Sequence, residues 1–186
     1  SEMCIRDSAM EVVNDILIPA LDSAGKLFEQ GKIFLPQLIQ TASVAQAAFE
    51  VIKTTLIERN AAPVSRGEIV LATVKGDIHD IGKNIVRVLL ENYGYTVLDL
   101  GRDVPCQLVA DTAKEHGVKL VGLSALMTTT LGAMEETIQL VKASCPDCKI
   151  VVGGAVLTAD YAEKIGADYY AKDAMETVAV AKEVVG

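Results

Sequence analysis

From Glu68 to the end of the chain, five short stretches are apolar nearly throughout: EIVLATV, YTVLDLG, KLVGLSA, KIVVGGA and ADYYAKD. Between and after them come GKNIVRVLLENYG, PCQLVADTAKEHG, LGAMEETIQLVKASC, TADYAEKIG and AMETVAVAKEVV, which read as helices. A strand without alternating polarity is buried on both faces. A run of such strands, each followed by a helix, therefore predicts a parallel sheet covered on both sides. Right-handed crossovers leave few ways to wind it. The expectation is an α/β, flavodoxin-like (Rossmann-like) five-stranded parallel sheet in the order 2-1-3-4-5. Sheets of this kind take ligands at the carboxyl ends of their strands, at the switch point between strands 1 and 3.

The polar residues of the chain gather where that crevice is expected. Strand 1 runs into GDIHDIG, with Asp77, His79, Asp80 and Gly82; strand 3 runs into Ser124 and then Thr128, Thr129 and Thr130. Strand 4 ends in Gly153 and Gly154, where missing side chains let a ligand approach the backbone. An exposed imidazole at a strand end can ligate a metal through one nitrogen. A carboxylate two positions earlier can accept the other N–H, fixing the tautomer and raising ligand basicity. A zinc site would need three or four protein ligands, which this half of the chain lacks. A single ligand implies a metal whose other positions are filled by a macrocycle. The spacing by itself also allows a plain loop histidine, with Asp77 as a helix cap. The other histidine, His116, stands beside Gly117 at a helix end and suits the helix dipole.

The first third of the chain has no strand-like segment. EVVNDILIPALDSAGKLFEQ and FLPQLIQTASVAQAAFEVIKTTLIE read as two amphipathic helices, with Gly31 as a stop between them and Pro36 in a first helical turn. A helix pair cannot bury its apolar stripe alone and must join a bundle or a neighbour. The expected divisions are a spurious leader over 1–9, a partial helical-bundle cap over 10–58, a linker over 59–67 (RNAAPVSRG, with its Pro and Gly) and the sheet domain over 68–186.

Charge and composition exclude other classes. Seventeen basic against 25 acidic residues give a net charge of −8 with no concentration of Lys and Arg, which argues against nucleic acid. No apolar run approaches the ~20 residues a membrane helix needs, and no signal peptide is visible. The four cysteines are sparse, as expected in a reducing cytoplasm. CPDC at 145–148 lacks a second cysteine pair for zinc and reads as packing or loop.

GDIHDIGKNIV, VGLSALMTTT and VVGGA, in this order and spacing, resemble the cobalamin-binding domain of cobalamin-dependent methionine synthase and related corrinoid proteins. AGKLFEQGKIFLPQLIQTASVAQAAFEVIK is similar to the helical cap of the same family. The resemblance runs from about Met10 to Gly186 and implies cobalamin as cofactor, cycling between methylcobalamin and cob(I)alamin. His79 would be the lower axial cobalt ligand in place of the cofactor's own base, Asp77 its hydrogen-bond partner, and Thr130 the end of the relay, where the family often has serine. Gly76, Ile78 and Asp80 would contact the cofactor around the ligand, and Gly82 would clear the way for the nucleotide tail to enter the sheet. Ser124, Leu126, Thr128, Gly153 and Gly154 would line the nucleotide tail, with Ala174 near the cofactor's side groups. Phe28 and Leu35 of the cap would shield the methyl-bearing face; read without the resemblance, they are ordinary core of a helix pair.

The function so implied is the methyl-carrier module of methionine synthase, moving methyl from methyltetrahydrofolate to homocysteine, with folate and homocysteine modules as partners. The alternative is a standalone corrinoid protein serving methylamine- or methanol-type methyltransferases. A cobalamin-sensing regulatory domain is a third reading, but the DNA-binding module usual in such sensors is absent.

Overall fold

A computed structural model of the chain describes residues 12–58 and 65–186. The leader expected over 1–9 and most of the linker expected over 59–67 lie outside the described residues. The chain divides into two compact units: one takes the residues up to Ser65 together with Glu91–Gly94, the other takes Arg66–Leu90 and Tyr95–Gly186.

In the first unit a π-helical stretch, Val12–Leu17, runs into helix α1 (Ile18–Glu29), whose first turn carries Pro19. A turn containing Gly31, at φ +68°, ends α1, and α2 (Leu35–Glu58) follows. The Phe34 N–H donates to Gln37 Oε1 at 2.7 Å, satisfying one of the donors a helix start leaves free. Leu21 and Ala24 of α1 and Leu38, Ala42 and Ala45 of α2 are buried, at the three- and four-residue spacing of one helix face. Phe34, Val44 and Val51 are exposed.

The second unit is a five-stranded parallel sheet in the order β2-β1-β3-β4-β5. The strands are β1 (Glu68–Thr73), β2 (Thr96–Asp99), β3 (Leu120–Ser124), β4 (Lys149–Gly153) and β5 (Tyr169–Tyr170). The helices are α3 (Ile81–Asn92), α4 (Cys106–His116), α5 (Leu131–Ser144), α6 (Ala159–Lys164) and α7 (Ala174–Val184). Every expected strand and helix of this unit is present, in the expected order. Gly117, at φ +58°, closes α4 in the left-handed conformation that glycine adopts without cost.

Side chains alternate across a strand, so the sheet has two different faces. One packs Val70, Ala72, Val121, Leu123, Ile150 and Val152 into the main core with Val109, Ala113, Met134 and Ile138 of α4 and α5. Each such side chain contributes about 1.5–3 kcal/mol by leaving water. The other face thins towards the carboxyl end of the strands. There Thr73 of β1, Ser124 of β3 and Gly153 of β4 stand in one row across the sheet. The fold thus places its smallest side chains at the switch point. Among the described residues, no helix is long and apolar enough to cross a membrane.

Candidate functional site

After Thr73 the chain makes one bridge, Val74 to Val104, and turns. Gly76 takes φ +85°, and the Asp77 N–H closes the turn on the Val74 carbonyl at 3.1 Å. The loop then carries Ile78, His79 and Asp80 outward before α3 begins at Ile81. Asp77 points inward and is fully buried, while the His79 side chain is 46% exposed.

Donors from two loops converge on the Asp77 carboxylate. Oδ1 accepts the His79 backbone N–H at 3.0 Å and faces His79 Nδ1 at 2.8 Å. Oδ2 accepts the Leu126 N–H at 2.7 Å and the Met127 N–H at 3.1 Å, with Thr130 Oγ1 at 3.2 Å. Burial pushes the Asp77 carboxyl up, but these N–H groups and the imidazole outweigh it and hold it well below the usual carboxylate range. An ionised carboxylate only accepts, so the proton of a neutral His79 sits on Nδ1 and the Nε2 lone pair faces away from Asp77. A histidine held in this way has one ring nitrogen fixed by its partner and the other free to ligate a metal.

Thr130 belongs to a short 3₁₀ turn, Thr128–Thr130, and is buried. Its hydroxyl has two acceptors, the Met127 carbonyl at 2.8 Å and Asp77 Oδ2 at 3.2 Å. With a single proton to give, the hydroxyl makes a weaker bond to Asp77 than the backbone donors do. Thr128 on the same turn is exposed. Leu126 touches Asp77 through its backbone and leaves its side chain exposed.

The surroundings of His79 are unusually apolar for a surface. Ile78 is 60% exposed, Ile81 is 78% exposed, and Leu126 and Met127 are exposed beside them in the β3 loop. A Cβ built at Gly82 meets nothing within 4 Å, so the ground beside the loop is open. Gly153 and Gly154 behave differently. A Cβ on Gly153 would lie 3.1 Å from the Ala171 carbonyl oxygen, and one on Gly154 only 1.8 Å from that of Ala125. Gly154, at φ +138°, is therefore required by packing as well as by backbone conformation. Ala174 opens α7 at the same end of the sheet. Phe28 and Leu35 lie in the helical unit, at the end of α1 and the start of α2, and both are half-buried.

Sequence reasoning missed three features here. The Thr73 hydroxyl is fully buried and has no hydrogen-bond partner among the described residues, although it stands in the row with Ser124 and Gly153. Lys83, directly after Gly82, is buried and donates to Asp99 Oδ1 at the end of β2. Burial raises the Asp99 carboxyl, and the Lys83 and Gly101 donors outweigh it, with Arg87 adding to a net lowering. The third is Asp103, a non-glycine residue at φ +52° in the β2–α4 loop. A lysine four places after the histidine of an aspartate-histidine pair is a signal that could be searched for; an orphan hydroxyl and a loop dihedral leave none.

A corrin with a nucleotide arm asks for an outward imidazole, an apolar floor and a slot with an unmet polar group. His79 and the isoleucines beside it meet the first two demands, and the Thr73 hydroxyl, in the row with Ser124 and Gly153, supplies the unmet polar group. Among the described residues no group of three His, Cys, Asp or Glu side chains could hold a metal ion without such a macrocycle. The CPDC cysteines lie elsewhere, just before β4 at the amino end of the sheet. Cys148 is buried, and burial first, then neighbouring Cys145, pushes its thiol up to about 12. This is a packed thiol, not a nucleophile.

Two B12 binding domain families match the chain, one over residues 67–179 and one over residues 2–53. The chain is 43% identical over 177 residues to dimethylamine corrinoid protein 1 of Methanosarcina acetivorans, covering 94% of this chain and 83% of that protein. Its structure is similar to that of a cobalamin-binding protein from Desulfitobacterium hafniense, with a TM-score of 0.79 and 35% identity over 97% of this chain and 84% of that one. It is also similar to the methanol:cobalamin methyltransferase complex of Methanosarcina barkeri, with a TM-score of 0.78 and 28% identity over 95% of this chain and 67% of that one. Relatives of this kind favour the standalone corrinoid protein over the methionine synthase module that the motifs first suggested. The folate and homocysteine partners expected with that module have no support among them.

Proposed function

The chain belongs to the B12 binding domain family, and from that premise we propose that it is the methyl-carrying corrinoid protein of a methylamine- or methanol-type methyltransferase system. Its cofactor is cobalamin, which when bound supplies a cobalt centre able to accept a methyl group and release it to a nucleophile. The methyl donor and acceptor are held by separate methyltransferase subunits, and the free thiols Cys106, Cys145 and Cys148 fit residence in the cytoplasm.

One observation carries the site: a fully buried carboxylate, held by the Leu126 and Met127 N–H groups, orients the exposed His79 imidazole. In this reading His79 offers Nε2 to the metal from below while Asp77 holds the proton on Nδ1. An imidazole not engaged by a metal would be open to a proton at Nε2, and the ionised Asp77 would stabilise the resulting imidazolium. The Asp77–Thr130 contact supports the carboxylate from its other oxygen. Ile78, Ile81 and Leu126 exclude water from the corrin face. Thr73, Ser124, Gly153 and Gly154 receive the nucleotide arm, with Gly82 leaving its entry open and Ala174 at the cofactor's edge. Gly76 and Asp80 shape the loop, and Thr128 adds a polar contact at its rim.

The test uses the full chain loaded with cobalamin and reduced. Mixed with a dimethylamine methyltransferase and dimethylamine, the protein should become methylated, as read from its visible spectrum. Methanol with a methanol methyltransferase is the second arm, and methyltetrahydrofolate with a folate-binding domain is the third. Methylation in the folate arm alone would overturn the proposal and restore the methionine synthase reading.

A further inference from the structure

The loop that carries His79 is gripped from two sides, and only one of them involves the Asp77 side chain. On the other side lies the β2–α4 loop, Leu100 to Pro105. It runs alongside the end of β1: the Leu100 N–H donates to the Leu71 carbonyl, the Thr73 N–H to the Gly101 carbonyl and the Val104 N–H to the Thr73 carbonyl. Past that short ladder, at Gly76 and Asp77, a single residue takes over. The Asp103 carboxylate accepts the Gly76 N–H at 2.7 Å, and the Asp103 N–H donates to the Asp77 carbonyl at 2.9 Å.

Asp103 does this from a left-handed backbone, φ +52°, that residues with a Cβ avoid. Glycine would adopt it freely, and Asn or Asp tolerate it best among the rest. An aspartate there accepts some backbone cost and brings a carboxylate, and that carboxylate meets the amide of Gly76, immediately before the inward-facing Asp77. The Asp77 main chain is thus fixed by the β2–α4 loop and its side chain by the β3 loop. With both fixed, His79 two residues on has little freedom left in where its ring stands.

We propose that Asp103 is a positioning residue for the axial imidazole, clamping Gly76 and Asp77 so that His79 presents Nε2 outward. This deepens the cobalamin-site reading and rests on His79 being the cobalt ligand.

Three variants separate the two things Asp103 does. Asp103→Asn keeps an acceptor oxygen and tolerates the backbone. Asp103→Gly keeps the backbone and its N–H bond but loses the acceptor. Asp103→Ala loses the acceptor and the easy backbone together. Without cofactor, amide hydrogen exchange at Gly76 should quicken in the Gly and Ala variants and stay slow in the Asn variant. Loaded with cobalt(II) cobalamin, protein uniformly labelled with the heavy nitrogen isotope shows by electron paramagnetic resonance whether a protein nitrogen or the cofactor's own base holds the axial position. The ratio of imidazole-bound to unbound cobalt should fall about tenfold in Asp103→Gly, further in Asp103→Ala, and hardly at all in Asp103→Asn. The thermal midpoint of Asp103→Gly should stay near that of the parent chain, which a purely structural role would not allow alongside a lost axial signal.

A parent-like axial ratio in Asp103→Gly overturns the proposal, as does an Asn variant that loses as much as the Gly variant. His79→Ala, measured alongside, tells the two failures apart. If it abolishes the axial signal while Asp103→Gly does not, only the clamp is wrong. If it leaves the signal intact, the ligand assignment falls, and the clamp with it.

Discussion

At the amino end of the sheet His116 Nδ1 lies 3.1 Å from Glu68 Oε2; at the carboxyl end His79 Nδ1 lies 2.8 Å from Asp77 Oδ1. As pairs the two look alike. Their carboxylates differ. Glu68 is half in solvent, whereas Asp77 is fully buried and accepts backbone N–H groups from two loops as well as facing the imidazole. An exposed partner moves with its histidine and is screened by water, so the contact orients nothing. A partner locked by main-chain donors turns the same contact into a fixed direction for the ring. The lesson is that a histidine–carboxylate contact has functional meaning in proportion to how the carboxylate itself is held.

That contrast can be broken most directly at the rings. His79→Ala should retain cobalamin binding yet lose the axial nitrogen signal and slow methyl transfer by about a hundredfold or more, since even orienting partners are worth roughly 10–100-fold. His116→Ala should change neither. Equal behaviour of the two variants would erase the distinction. Next come the carboxylates. Asp77→Asn puts an amide donor among the N–H groups that Asp77 serves, so it should reduce imidazole-bound cobalt by about 10–100-fold and cost on the order of 1–3 kcal/mol in urea unfolding. Glu68→Ala should stay within about 0.5 kcal/mol of the parent.

Acid sharpens the comparison further. Asp77 and Asp99 are both held below the ordinary carboxylate range in the folded protein. Their stabilising effect is fully present above the unfolded value of about 4 and is lost as pH falls through the folded values. The urea midpoint of the apoprotein should therefore be nearly flat from about pH 7 to about pH 5 and decline below about pH 4. Asp77→Asn should shallow that decline; an unchanged acid limb would show that Asp77 is not held as described. The smallest effect is expected at Thr130. Because its hydroxyl lies closer to the Met127 carbonyl than to Asp77, Thr130→Ala should alter imidazole-bound cobalt by less than about threefold, within the reach of one weak hydrogen bond. Thr130→Ser should match the parent.

Much of this could be seen in the residues alone. Continuous apolar runs such as EIVLAT and KIVVG admit little except buried parallel strands, and crossover handedness narrowed the strand order to a few, of which the expected one is found. The D-x-H spacing foretold the bond between Asp77 Oδ1 and the ring. It said nothing of Oδ2, whose donors Leu126 and Met127 arrive from a loop some fifty residues away. Asp103 was invisible for the same reason: GRDVP reads as a turn, and its partners are set by how two loops lie side by side. Thr73 reads as one more strand residue until the row it shares with Ser124 and Gly153 is known. The substrate class was hardest, because on the proposed reading the groups that choose a methyl donor sit on a separate methyltransferase.

A protein that ferries an alkylating group lives beside its own cargo, and any nucleophile it exposes is a place where that cargo can be lost. The thiol at Cys148 is sunk into the opposite end of the sheet and stays protonated up to about pH 12. On the proposed reading that burial keeps this thiol away from the cargo: alkylating reagents that attack ordinary surface thiols should leave Cys148 untouched while the fold is intact.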